Sequence, residues 1–119
     1  DRSDQFNSFV VARRAIKNYR WTPMARDTAT ASLFMHELGH TLGIFWHTYN
    51  GIDNTTNVYP WLSGWSIYEN YRSCMNYRYA WSLIDYSDGS HGEGDFDDWS
   101  TIDPSFFEKR FFAEPPIIL

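Results

Sequence analysis
The sequence predicts a helix-rich α+β domain, and three observations carry that class. Residues 29–42 contain no proline and only Gly39 among glycines, which suits a long helix. Phe9-Val10-Val11 is a β-favouring cluster near the start. The remainder holds long connections rich in Asn, Asp, Gly and Pro. At 119 residues the chain is the size of one domain, so residues 1–119 are read as a single unit.

A strand is expected over residues 8–13, although Phe6, Phe9, Val10 and Ile16 also fit near one helical face. Pro23 punctuates the chain after it. Asp27 or Thr28 is the expected N-cap of the long helix. Gly43 stands at its C-terminal stop, where a left-handed residue costs least. Leu33, Phe34, Leu38 and Leu42 cover much of the helix circumference, so the helix is expected to be buried. Residues 48–64 read as loop, and a short helix is expected over residues 67–71. Residues 85–98, DYSDGSHGEGDFDD, read as an ordered acidic loop. Asp103-Pro104 resembles an N-cap followed by proline at the first helical position. It would open a last helix over residues 105–112, which Pro115-Pro116 stops.

Composition excludes some functions. The formal net charge is -5, and no basic stripe is present for phosphates, so nucleic acid is not an expected partner. No apolar run approaches membrane-spanning length. Cys74 is the one cysteine, so no disulfide can close within the chain. The sequence starts at Asp1 without a signal peptide, which suggests a processed or partial product.

The chemistry is concentrated in HELGHTLGIFWH, residues 36–47. His36 and His40 stand at i and i+4, one turn apart on one helix face, which suits two ligands of a tetrahedral Zn²⁺. Glu37 is turned by about 100° from His36, so it reaches a zinc-activated water rather than the metal. Such a carboxylate can take the proton of the water and pass it to a leaving amine. The plainer alternative is a helix that carries these three letters by chance. It is weakened because two histidines and a glutamate in a buried helix need partners.

His36–Gly43 resembles the HExxHxxG core of the metzincin clan of zinc metallopeptidases. Ser73-Cys74-Met75-Asn76-Tyr77 is similar to the S-x-M-x-Y Met-turn of that clan. More closely, Phe34–Gly43, Asn70–Tyr77 and Asp85-Tyr86-Ser87-Asp88 resemble predicted secreted metallopeptidases of microbes. Those read FMHELGHxLGL, NYxSVMNY and an acidic YSD segment. The likeness covers roughly residues 30–103. It implies a metzincin-like zincin core and a zinc endopeptidase acting on protein or peptide substrates outside the cell or at its surface. It also implies that Met75 forms a floor beneath the metal and that Tyr77 approaches the zinc or the oxyanion. Read without the family, Met75 is an ordinary core methionine, Tyr77 one aromatic among many, and Cys74 a small buried hydrophobe.

Two departures follow from the likeness. The family places its third ligand three residues after the glycine, and Trp46 stands there. His47, one place on, is the preferred third ligand, brought round by a one-residue bulge after Gly43. Asp53, His91 and Glu69 are the alternatives. The family also carries several strands and a backing helix before its active-site helix, whereas 35 residues precede His36. One strand near Phe9–Ala12 would match the substrate-aligning edge strand. Most of the upstream sheet is then absent from this chain, and a precursor segment or another chain is expected to complete it.

Asp85, Asp88, Glu93, Asp95, Asp97 and Asp98 form an oxygen-rich loop that could hold Ca²⁺, although its spacing is not that of an EF-hand. The alternative is a solvated loop that caps the following helix. Trp46, Trp61, Trp65, Tyr68, Tyr71, Tyr79 and Trp81 crowd the middle of the chain and are expected to be mostly core. The rival to the enzyme is a non-catalytic zinc-stabilised scaffold, or a subunit of an extracellular assembly, that binds through an aromatic face.

Overall fold
The computed structural model describes residues 22–106. Its main element is helix α1, Pro23–Thr41. Thr22 caps it, accepting the Ala25 N–H on its hydroxyl at 3.1 Å, and Pro23 sits where its missing N–H is not needed. The helix therefore begins earlier than Asp27 or Thr28 suggests. Pro23, expected as punctuation, is its first residue.

Its end is a complete Schellman turn. The Ile44 N–H bonds the Gly39 carbonyl at 3.0 Å, and the Gly43 N–H bonds the His40 carbonyl at 3.3 Å. Gly43 takes the left-handed φ of 94° that this turn requires. Ile44 then enters the core with no exposure.

The buried stripe of α1 is small and polar rather than leucine-rich. It consists of Ala29, Ser32, His36, Gly39, His40 and Thr41, whereas Phe34 is half exposed. The expected burial through Leu33, Phe34, Leu38 and Leu42 is corrected accordingly. The helix packs closely through its smallest residues. A Cβ on Gly39 would stand 2.5 Å from Met75 Sδ and 3.2 Å from the Tyr86 ring.

Beyond α1, a 3₁₀ turn spans Thr55–Asn57, helix α2 spans Ser63–Ile67 and helix α3 spans Asp98–Thr101. The short helix expected over residues 67–71 thus ends where it was expected to begin. Asp103 accepts the Ser105 N–H at 3.0 Å, as its expected capping role requires, and most of the helix expected over residues 105–112 lies outside the described residues.

Among the described residues the sole β pairing is one antiparallel bridge between Asp88 and Asp97. The described part is helix-rich, and the α+β expectation is not met there. Asn, Gly and Ser-rich connections satisfy their backbone with turns and side chains instead of ladders. The strand expected over residues 8–13 lies outside the described residues.

The core is Ile44, Ile52, Tyr71, Cys74, Met75 and Tyr86, with Met35, Tyr49, Tyr68, Phe96 and Ile102 packed around it. Tyr49 stacks on Phe96 at a centroid distance of 4.7 Å and meets Tyr71 edge-on at 5.1 Å. Of the crowded aromatics, Tyr71 is wholly buried and Tyr68 flanks the core. Trp46, Trp61 and Trp81 are substantially exposed, which corrects the expectation that most are core. Trp65 instead lies under the Arg78 guanidinium, 4.0 Å from its ring centroid.

Candidate metal centre
The periodicity of α1 carries His36 and His40 to one face, and the structure turns both rings the same way. His36 Nδ1 lies 2.6 Å from the Cys74 carbonyl oxygen, and His40 Nδ1 lies 2.9 Å from that of Ile44. A carbonyl only accepts, so both Nδ1 atoms carry a proton. This leaves the two Nε2 atoms facing each other at 3.2 Å. The Schellman turn supplies the carbonyl for His40, and the turn through Cys74 supplies the one for His36. Such outer partners fix the ring orientation and the tautomer of metal-binding histidines.

Asp53 closes the group. Its Oδ1 lies 2.8 Å from His36 Nε2, and its Oδ2 lies 3.0 Å from His40 Nε2. The side chain is only 7% exposed. Asp53 takes a left-handed φ of 52°, and its N–H bonds the Met75 carbonyl at 3.2 Å. The loop is thereby tied to the segment that also positions His36.

The electrostatics of this group call for a cation. With both rings neutral and protonated on Nδ1, the Nε2 lone pairs point at a carboxylate whose oxygens receive no hydrogen bond. Protons on the rings or a metal ion among the three groups would relieve this. Burial acts to lower the His36 pKa, but the Asp53 carboxylate, the Cys74 carbonyl and the Glu37 charge together outweigh it, and the net shift is upward. Burial acts to raise Asp53, yet the two imidazoles hold its carboxyl well below the ordinary range. His36, His40 and Asp53 therefore form a group that could bind a metal ion.

Three neighbours shape the space beside it. Tyr77 stacks on His36 with ring centroids 5.8 Å apart. Burial, Asp53 and Glu37 push its hydroxyl up to about 12, so it stays a donor at neutral pH. Glu37 is half-buried, and its charge is felt by both His36 and Tyr77. Met75 lies fully buried against Gly39, the residue of α1 that stands between His36 and His40 in sequence.

His47 is not brought to this group. It is exposed, with its ring stacked on Trp46 at 3.8 Å. The physical reason is the turn after α1. The Thr48 N–H bonds the Phe45 carbonyl at 2.7 Å, and the Thr48 hydroxyl reaches back to the Gly43 carbonyl at 3.2 Å. This closes residues 45–48 with His47 on the outside. Glu69 is also exposed, and His91 pairs with Asp95 at 2.8 Å. Of the alternatives to His47, Asp53 is the one placed against both histidines.

The acidic loop draws its order from its own hydrogen bonds. Asp88 accepts from the Ser90 N–H and hydroxyl, Asp97 accepts from the Ser100 N–H, and Asp95 accepts from the His91 and Phe96 N–H groups. Asp88, His91 and Asp95 make a second cluster of possible ligands, with Asp88 well exposed. Cys74 is wholly buried, and burial pushes its thiol far up, so it packs as a small hydrophobe and offers no thiolate.

Compared with protein-family models, with curated proteins and with solved structures, the chain matches none of them.

Proposed function
We propose that this chain is a zinc-dependent endopeptidase in which His36, His40 and Asp53 hold the metal and Glu37 moves the proton. The observation that carries the reading is the convergence of two Nε2 atoms and one buried carboxylate at 2.8–3.2 Å from one another. Ligand atoms around a tetrahedral zinc with bonds of about 2.0–2.1 Å stand roughly 3.3 Å apart, so the donor set and its spacing fit. Three protein ligands leave one position open, which is the arrangement of catalytic rather than structural sites.

When bound, zinc supplies Lewis acidity, acidifying water and polarising a carbonyl. The protein supplies the rest. Glu37 accepts the proton of the attacking water and returns it to the departing amine. The Tyr77 hydroxyl, protonated at neutral pH and stacked beside His36, donates to the oxyanion as it develops. Gly39 lets Met75 pack closely against the helix that carries both histidines. A protein or peptide substrate and an extracellular setting go with this reading.

The same two-histidine, one-carboxylate set also suits non-haem iron, and a zinc-stabilised scaffold needs no Glu37 at all. One experiment separates the three. Metal content is measured on the purified chain, followed by cleavage of a peptide library by the wild type and by Glu37→Gln. The endopeptidase requires about one zinc per chain, cleavage by the wild type, and loss of cleavage with zinc retained in Glu37→Gln. Iron in place of zinc overturns the proposal, and so does zinc with no cleavage by either protein.

A further inference from the structure
Asp98 is fully buried, which a carboxylate tolerates only among donors. The Tyr71 hydroxyl donates to Oδ1 at 2.6 Å, and the Ser87 N–H donates to Oδ2 at 3.0 Å. Ser73 also favours the charged form of this carboxylate. Tyr71 and Ser73 lie immediately before Cys74 and Met75 in the chain, and Ser73 Oγ also accepts the Met75 N–H at 3.0 Å. On the other side, the Cys74 N–H donates to the Asp85 carbonyl at 2.8 Å, two residues from Ser87. The carbonyl that orients His36 is therefore held in a turn whose side-chain anchors converge on Asp98.

We infer that Asp98 is a positioning residue for the metal centre: it holds the 71–75 turn so that the Cys74 carbonyl fixes the His36 ring. The inference rests on the reading of His36, His40 and Asp53 as ligands. A buried charge is a poor source of net stability, since apolar replacements are often neutral or better. Its strength lies in fixing geometry, because every donor must meet it at one distance and angle. Two donors from two separate segments, Tyr71 and Ser87, meet this carboxylate, and the segment of Tyr71 carries the acceptor of a ligand histidine.

The test is chelator-competed Zn²⁺ titration of the metal-stripped full chain, with the Co²⁺-substituted absorption spectrum as a second readout. Asp98→Asn removes one acceptor. Tyr71→Phe keeps the buried ring and removes one donor, so it remains informative if Asp98→Asn does not fold. Outer partners of metal ligands are worth roughly 10–100-fold in affinity, and Tyr71→Phe is expected to lose about tenfold. The Co²⁺ bands should shift in both variants. Their effects should also be less than additive in the double variant, because they share one contact. Thr22→Ala, which weakens a distant helix cap, should leave the affinity unchanged. If the wild type binds Zn²⁺ but a folded Tyr71→Phe or Asp98→Asn chain binds equally well with an unaltered Co²⁺ spectrum, Asp98 has no positioning role. If the wild type itself fails to bind, the ligand assignment falls instead.

Discussion
Asp53 adopts a left-handed backbone, which costs an ordinary L-residue roughly 1–2 kcal/mol and aspartate less. That tolerance, together with a short carboxylate, lets one loop residue face both Nε2 atoms. Asp53→Ala should weaken Zn²⁺ binding by more than the roughly 10–100-fold typical of outer-shell changes. His47→Ala should leave it unchanged, because that ring is exposed against Trp46. Metal retained after dialysis at fixed free Zn²⁺ measures both, and the opposite ranking would restore His47 as the third ligand. His36, Glu37 and His40 were legible in the sequence because one regular helix sets their relation. Asp53 was visible only as one of several alternatives. Its approach depends on the Met75 carbonyl and on turns over residues 45–52, and no periodicity encodes those. In the sequence Asp98 is one acid of a loop that could hold Ca²⁺ or be solvated, since nothing local distinguishes a buried aspartate from its exposed neighbours.

At the scale of the element, the end of α1 does two jobs with one turn. The Schellman bonds stop the helix, and the residue they place next, Ile44, offers its carbonyl to His40. Gly43→Ala forces a Cβ into the left-handed region, 3.2 Å from the Phe106 ring, at a cost of about 1–2 kcal/mol. Zn²⁺ affinity should fall along with stability, because the His40 acceptor moves with the turn. At the other end, Thr22→Ala should cost about 1 kcal/mol in urea unfolding and leave the metal untouched. Equal effects of the two substitutions on metal binding would show that the C-terminal turn has no special link to the site. Gly43 as a stop was readable from sequence, since glycine after the last helical residue has a physical reason. The helix start was misplaced because Pro23 was taken as a breaker, although proline fits the first turn as well. The buried face of α1 was misread for a different reason. Leucine and phenylalanine positions predict burial only where there is room for them, and at Gly39 a Cβ alone would already collide with Met75.

For the whole molecule, the His36, His40 and Asp53 group lies at the junction of α1, the loop through Asp53 and the turn through Cys74, so a metal bound there would couple to folding. The direction of the pH effect follows from the protons. In the metal-free chain His36 is raised, so its contribution to stability is full below its unfolded value and lost as pH rises through the folded one. Asp53 is depressed, so its contribution is present above its unfolded value and lost as pH falls through the folded one. The His36 proton that faces Asp53 in mild acid therefore leaves as pH rises, and the metal-free group then sets a buried carboxylate against a neutral His36. Bound zinc needs neutral rings and an ionised carboxylate, so its affinity rises over the same range. At a free metal concentration of 100 times Kd, binding to the native state adds about 2.7 kcal/mol. The expected outcome is a zinc-induced rise in Tm that is small near pH 5 and grows towards pH 8, with the metal-free chain weakening over that interval. Scanning calorimetry with saturating Zn²⁺ and with chelator, across that pH range, measures it. A zinc increment that stays constant with pH would mean the metal is held by groups that do not exchange it for protons, and His36, His40 and Asp53 would not be its ligands.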